Sequence, residues 1–219
     1  MARPRRTPGP SSRDRLLTAA AREFAARGFD GAKVDRIARL ARVNKAMLYY
    51  HFANKAALYR EILREAFGGV AMSVEAVRES PGAPDDQLRR FIEAVGTISQ
   101  ERPHFPAMWL REMAEGGRHL DDTVVVEIGR VLLALAAILQ SGVKAHLFRD
   151  IPPFLAQMGI VGPLLLFSVS APIGERFSHL APFPLAHVTH DDAVKHVQRA
   201  TLAALKESQR SPQSVGRHR

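Results

Sequence analysis

Residues 34–55 read Val34-Asp35-Arg36-Ile37-Ala38-Arg39-Leu40-Ala41-Arg42-Val43-Asn44-Lys45-Ala46-Met47-Leu48-Tyr49-Tyr50-His51-Phe52-Ala53-Asn54-Lys55, and their pattern decides the fold. Ile37, Ala38 and Ala41 give a short helix one inward face, while Lys33, Arg36, Arg39 and Arg42 point elsewhere. About three residues of turn follow. Asn44 is a good N-cap for a second short helix, residues 45–52, whose Leu48 and Phe52 share a face. The stretch is helix, turn, helix, and its second helix is polar on the outside.

The flanks support it. Ser11 caps a preceding helix, with Asp14 three residues on where a first-turn carboxylate suits the helix dipole. Leu16, Leu17, Ala20, Ala21 and Phe24 form its apolar stripe, Gly28 marks its end, and Phe29-Asp30-Gly31 is a turn. Asn54 caps a following helix carrying Leu58, Tyr59, Ile62, Leu63, Ala66 and Phe67. That helix continues through Val70 and Val74 only against a penalty of roughly 2 kcal/mol for Gly68-Gly69.

Further on, residues 80–84 (Ser-Pro-Gly-Ala-Pro) are a loop. Asp85 or Asp86 opens a helix with Leu88, Phe91, Ile92, Val95 and Ile98 on one face, ended by Pro103. Residues 105–115 form an aromatic and Met-rich helix stopped by Gly116-Gly117, and 123–140 an apolar one ended or kinked at Ser141-Gly142. Thr189-His190-Asp191-Asp192 has the form of a capping box for a last helix, 193–206. No strand or repeat pattern is present, so the class is all-α.

The 219 residues are 46% apolar, ample for a core, and contain no cysteine. That removes disulfides, thiol nucleophiles and Cys-ligated metals. Residues 1–15 have no apolar segment behind their charges and do not read as a secretory signal, and with no cysteine either the expectation is a cytoplasmic protein. Net charge is +9, and residues 1–60 hold 14 Lys/Arg against 4 Asp/Glu, while the remainder holds 17 against 18. The excess is a polyanion footprint at one end of the chain.

A helix-turn-helix reads a duplex by placing the start of its second helix in a major groove ~12 Å wide. Lys45, Ala46 and Met47 occupy that start, and Tyr49, Tyr50 and His51 follow on surfaces that Leu48 and Phe52 leave open. Tyrosine, histidine and lysine suit phosphate and base contacts, and Lys55 stands at the next helix N-terminus, where phosphate binds readily. Arg3, Arg5 and Arg6 are either a minor-groove arm or solvated.

Residues 12–64 resemble the DNA-binding domain of TetR-family repressors, above all in Leu48-Tyr49-Tyr50-His51-Phe52 followed by Lys55. The resemblance implies an N-terminal three-helix helix-turn-helix domain followed by a C-terminal helical ligand-binding and dimerisation domain. It implies base contacts from Lys45, Ala46 and Met47, phosphates for Tyr49 and Lys55, mixed roles for Tyr50 and His51, and further DNA-facing positions at Lys33, Val34, Arg42 and Asn44. Two residues depart from the pattern. Lys33 stands where a capping Thr is usual, and Arg42 replaces the usual turn Gly, at about 1–2 kcal/mol if that position is left-handed.

The expected layout is therefore a basic arm (1–10), a DNA-binding domain (11–66), a helical ligand-binding and dimerisation domain (67–207) and a tail (208–219). A double-stranded operator of two half-sites calls for a homodimer. Helices 153–171 and 191–206 carry it, the latter through Ala193, Val194, Val197, Ala200, Thr201, Ala204 and Leu205; the resemblance implies a four-helix bundle. It also implies an apolar effector cavity, for which Phe91, Val95, Phe105, Met108, Trp109, Met113 and Leu133 are candidate walls and His104, Arg111 and Glu112 candidate polar contacts. The effector is then a small apolar or amphipathic molecule.

Competing readings are weaker. Residues 151–173 carry no charge and are long enough to span a bilayer, but Pro152, Pro153, Pro163 and Pro172 favour a buried interface helix, so no membrane partner is expected. The chain lacks G-x-S-x-G, the P-loop, H-E-x-x-H and the dinucleotide glycine pattern, so neither an enzyme nor a cofactor is expected. His187 and His190, with Asp191, Asp192 and His196, make a metal-like cluster, but capping explains Thr189–Asp192 and no metal site is assigned. A metal-binding regulator using that region, or a non-specific DNA-binding protein, is the alternative.

Overall fold

The structure, a computed structural model, describes residues 9–177 and 188–206. The described residues form α-helices only: α1 (Ser12–Gly31), α2 (Val34–Leu40), α3 (Lys45–His51), α4 (Lys55–Glu79), α5 (Pro84–Glu101), α6 (Phe105–Ala114), α7 (Asp122–Lys144), α8 (Pro153–Phe177) and α9 (His190–Lys206). The all-α expectation holds. Arg3, Arg5, Arg6, His187 and the tail lie outside the described residues.

By packing, the chain forms two compact units. Of the described residues, one unit contains those up to Ala66 together with Arg102–Val125, and the other contains Phe67–Glu101 together with those from Val126 on. Within the first unit α6 packs on α1. Phe91 and Val95 belong to the second unit, whereas His104, Phe105, Met108, Trp109, Arg111, Glu112 and Met113 belong to the first.

In the first unit, Ser11 and Asp14 form a reciprocal capping box (Asp14 N to Ser11 Oγ 3.2 Å, Ser11 N to Asp14 Oδ2 3.1 Å), which contributes about 1 kcal/mol. Leu16, Leu17, Ala19, Ala20 and Phe24 are buried, while Ala21 of the expected stripe is only half-buried. Gly28 adopts φ 70° and breaks the helical path; a Cβ there would be strained. Glu23, buried on α1, joins α1 to α2 through Arg36 Nε at 3.1 Å, with Arg27 at 3.6 Å. Arg13 joins α1 to α4 through Glu61 and Glu65.

In the second unit α5, α8 and α9 pack together. Their core is Leu88, Phe91, Ile92, Val95 and Ile98 of α5, Ala156, Ile160, Leu164 and Leu165 of α8, and Val194, Val197, Leu202 and Leu205 of α9. Buried Gln198 keeps its amide satisfied by donating to Arg89 O (3.0 Å) and Glu93 Oε1 (2.8 Å). The stripe expected on α9 is not one face: Ala200 and Ala204 are exposed, and Gln198 and Leu202 take the inward positions. Thr189 and Asp192 form the expected capping box.

Ser141-Gly142 does not end α7, which runs on to Lys144. Gly142 is there for close approach. A Cβ would lie 1.9 Å from Phe148 Cδ2, so the ring of the following turn packs directly against the helix backbone. α4 likewise runs unbroken through Gly68-Gly69.

Two surfaces of α8 contrast. Ala156, Ile160, Leu164 and Leu165 are buried, whereas Phe154, Leu155, Met158, Leu166 and Ile173 are exposed. Pro153–Ser170 is long and apolar enough to cross a membrane by length and composition alone, and 22% of it is buried in the fold.

Candidate nucleic-acid interface

The turn between α2 and α3 is built by its backbone. Val43 N donates to Ala38 O (3.0 Å) and Arg42 N to Arg39 O (3.1 Å), the two bonds of a Schellman stop. That motif needs one left-handed residue, and Arg42 supplies it with φ 55°. A side chain there costs about 1–2 kcal/mol relative to glycine. The expected departure at Arg42 is thus real, and the helix-turn-helix geometry is kept in spite of it. Lys33, as its residue type implies, makes no side-chain cap for α2.

Asn44 then caps α3: its Oδ1 accepts from Met47 N at 2.7 Å. Leu48 (fully buried) and Phe52 anchor the helix. Lys45, Ala46, Met47, Tyr49 and Tyr50 are left in solvent, Tyr50 at 81% exposure, and Lys33, Arg42 and Asn44 are also exposed. Val34 and His51 are half-buried. Two neighbouring tyrosines this open are not core residues. Residues 33–55 hold six Lys/Arg against one carboxylate, Asp35. Lys45 Nζ lies 2.8 Å from Asp35 Oδ1, and that hydrogen bond raises the Lys45 pKa above its ordinary value.

α1 braces this surface from behind. Arg15 Nε donates to Ala41 O (3.2 Å) and Arg15 Nη1 to Pro10 O (3.0 Å), which ties the turn to the start of α1. Ser12 Oγ and His51 Nε2 are 2.8 Å apart, joining α1 to the last residue of α3. No local pattern announces these contacts, because the partners are 26 and 39 residues apart. Lys55, half-buried, is engaged within the fold. Its ammonium donates to Phe29 O (2.8 Å) and Ala32 O (3.2 Å) and sits 4.5 Å over the Phe29 ring, bracketing the α1–α2 connection.

The residues expected to contact an effector divide by environment. Phe91, Val95, Phe105, Met108 and Glu112 are buried, Trp109 and His104 half-buried, Arg111 and Met113 exposed. Burial, then the charge of Arg22, lowers the His104 pKa. Glu112 is already engaged. It accepts from Tyr59 Oη (2.9 Å) and His119 N (2.8 Å), and His119 Nδ1 is 2.9 Å from its Oε2. Burial, with the Glu112 contact second, pushes the Tyr59 phenol far up. The Phe29 and His119 rings meet at 4.0 Å between centroids, tilted by 34°, so a single knot joins α1, α4 and α6.

Glu112, Glu115 and His119 are also grouped closely enough to hold a cation. Their i, i+3, i+7 spacing is the available signal, although α6 ends at Ala114 and Gly116 and Gly117, both at positive φ, carry the chain on to His119. Among the described residues, two open grooves lie elsewhere. One, of about 360 Å³, is lined by Arg22, Glu23, Ala26, Arg27, Arg36 and Leu40. The other, of about 650 Å³, lies along α7 by Leu133, Ala137, Gln140 and Lys144 and reaches Asp150 and Pro153. Of the expected cavity walls only Leu133 lines either groove.

Comparison with known proteins agrees with the geometry. Residues 16–62 match the family profile described as bacterial regulatory proteins, tetR family. The transcriptional repressor NicS of Pseudomonas putida is 26% identical over 141 residues, covering 64% of this chain and 66% of that protein. The transcriptional regulator RutR of Escherichia coli is 29% identical over 138 residues, covering 63% and 65%. These matches span just under two thirds of the relatives' own lengths. Among solved structures, the TetR-family regulator PfmR of Thermus thermophilus shares the fold with TM-score 0.66 and 24% identity over 92% of this chain and all of that one. FadR of Bacillus subtilis, solved with stearoyl-CoA, does so with TM-score 0.67 and 16% identity over 87% and 98%.

Proposed function

Because the chain belongs to the tetR family of bacterial regulatory proteins, we propose that it is a cytoplasmic transcriptional repressor that binds a palindromic operator as a homodimer and is released by a small apolar or amphipathic effector. One observation carries the DNA-reading half of this: α3 is anchored by Leu48 and Phe52 and exposes Lys45, Ala46, Met47, Tyr49 and Tyr50. In this reading Lys45, Ala46 and Met47 meet base edges, Tyr49 and Arg42 hold phosphates, and Tyr50 and His51 contact both. Lys33, Val34 and Asn44 border the duplex. Lys55 acts mainly by bracing the turn that presents α3.

The exposed apolar face of α8, with the small residues Ala200 and Ala204 of α9, is the proposed dimer surface. Two such faces bury one another's leucines, which a monomer would leave in water. A membrane would cover the same face, and recovery of the protein in detergent-free buffer separates the two. Release by an effector requires unequal affinity for the DNA-competent and DNA-incompetent conformers. FadR's stearoyl-CoA is an amphipathic ligand on the same fold, which supports that ligand class here.

Selection of bound duplexes from a random pool tests the reading. The expected result is one palindromic consensus, with affinity for it falling about tenfold or more in Tyr50→Ala at unchanged thermal stability. Recovery of no enriched motif would overturn it in favour of a non-specific DNA-binding protein, whose affinity follows salt and ignores sequence. Operator affinity that stays constant under every saturating amphipathic ligand would remove the effector half.

A further inference from the structure

Lys45, the first residue of α3, is held at 2.8 Å by Asp35, in the first turn of α2. Both side chains are open to solvent, at 52% and 75% exposure. Asp35 is the only acidic residue between 31 and 60, in a stretch that is otherwise strongly basic. A carboxylate in the first turn of a helix has a local role in meeting the helix dipole. That role needs no partner on the neighbouring helix.

The pairing has a consequence for DNA binding. An ammonium that must leave a carboxylate before it can touch DNA gains less from any phosphate. That loss weighs on all duplexes equally, whereas a guanine O6/N7 pair in the major groove returns a directed contact only where the right base stands. A penalty laid on all competitors sharpens selection for the one target with an added attraction.

On the premise that α3 reads DNA, we infer that Asp35 is a positioning residue for specificity: it holds the Lys45 ammonium off sequence-neutral phosphates and yields it to a base-edge acceptor. The residue acts through Lys45 and touches no base itself.

The test compares wild type, Asp35→Asn, Asp35→Glu, Lys45→Gln and the Asp35→Asn/Lys45→Gln double variant as full-length protein. Each is titrated against the duplex recovered by selection and a scrambled duplex of equal composition, over a range of salt. Asp35→Asn is expected to bind the scrambled duplex about three- to tenfold more tightly, with a salt slope steeper by about one released ion. Its affinity for the selected duplex should change less, so the ratio of the two falls. The gain on scrambled DNA should vanish in the Lys45→Gln background, and Asp35→Glu should keep most of the wild-type ratio. Equal tightening on both duplexes, or a gain that persists without Lys45, overturns the proposal and leaves the DNA-reading function intact. A wild type that does not distinguish the two duplexes overturns that function, and this inference with it.

Discussion

α3 and α8 both leave large side chains in solvent, and what they expose differs in kind. α3 presents Lys45, Tyr49 and Tyr50, charged or amphipathic groups beside a cluster of arginines, with Met47 the one apolar group among them. α8 presents Phe154, Leu155, Met158, Leu166 and Ile173 on a helix whose first twenty-two residues carry no charge. The first surface suits a polyanion, whose binding is dominated by charge and hydrogen bonds. The second suits another apolar surface, because leucine and phenylalanine gain only by leaving water. Exposure alone does not identify a partner; the chemistry of the exposed groups does.

The largest effect that would break this comparison is expected at α8. Leu155→Glu with Leu166→Glu places four carboxylates in the proposed dimer surface and forfeits roughly 1.5–3 kcal/mol of burial per leucine. Self-association and binding to the selected duplex should both fall by more than a hundredfold, measured by sedimentation and by fluorescence anisotropy. A variant that stays dimeric would show that α8's apolar face meets something else.

Next in size is the knot behind the reading head. Glu112→Ala removes the acceptor shared by Tyr59 and His119. Buried donors left without partners should lower stability by about 2–4 kcal/mol, read from urea unfolding. Stability unchanged within a few tenths of a kcal/mol would mean the first unit is not held together there.

The smallest effect sharpens the comparison, since it sets the fold against the surface. Arg42→Gly relieves the left-handed strain and should raise stability by about 1 kcal/mol. It should also weaken DNA binding with a salt slope shallower by about one, because a phosphate contact is lost. Higher stability with unaltered DNA affinity would leave Arg42 without a role in binding.

What was legible in the chain was local. Ser11, Asn44 and Thr189 cap their helices because a side-chain oxygen reaches an N–H three residues on, a distance set by helix geometry alone. Arg42 stood out only by its departure from the turn glycine of the resembling family, and its left-handed backbone, φ 55°, belongs to the structure. What the sequence leaves open is decided by remote partners. Ser141-Gly142 reads as an end or a kink, and α7 runs past it to Lys144 with the Phe148 ring against Gly142. Lys55 reads as available to phosphate, and within the fold its ammonium is bonded to Phe29 O and Ala32 O.

By itself, the sequence determined the helices, their caps and the basic, aromatic outer face of α3, since these depend on periodicity and on contacts within one turn. Only the tertiary structure decided that α6 belongs with α1, that Glu112 is tied to Tyr59 and His119 rather than left open, and which face of α9 turns inward. Those outcomes rest on which surfaces exclude water together, a property of the packed chain that no short window of residues contains.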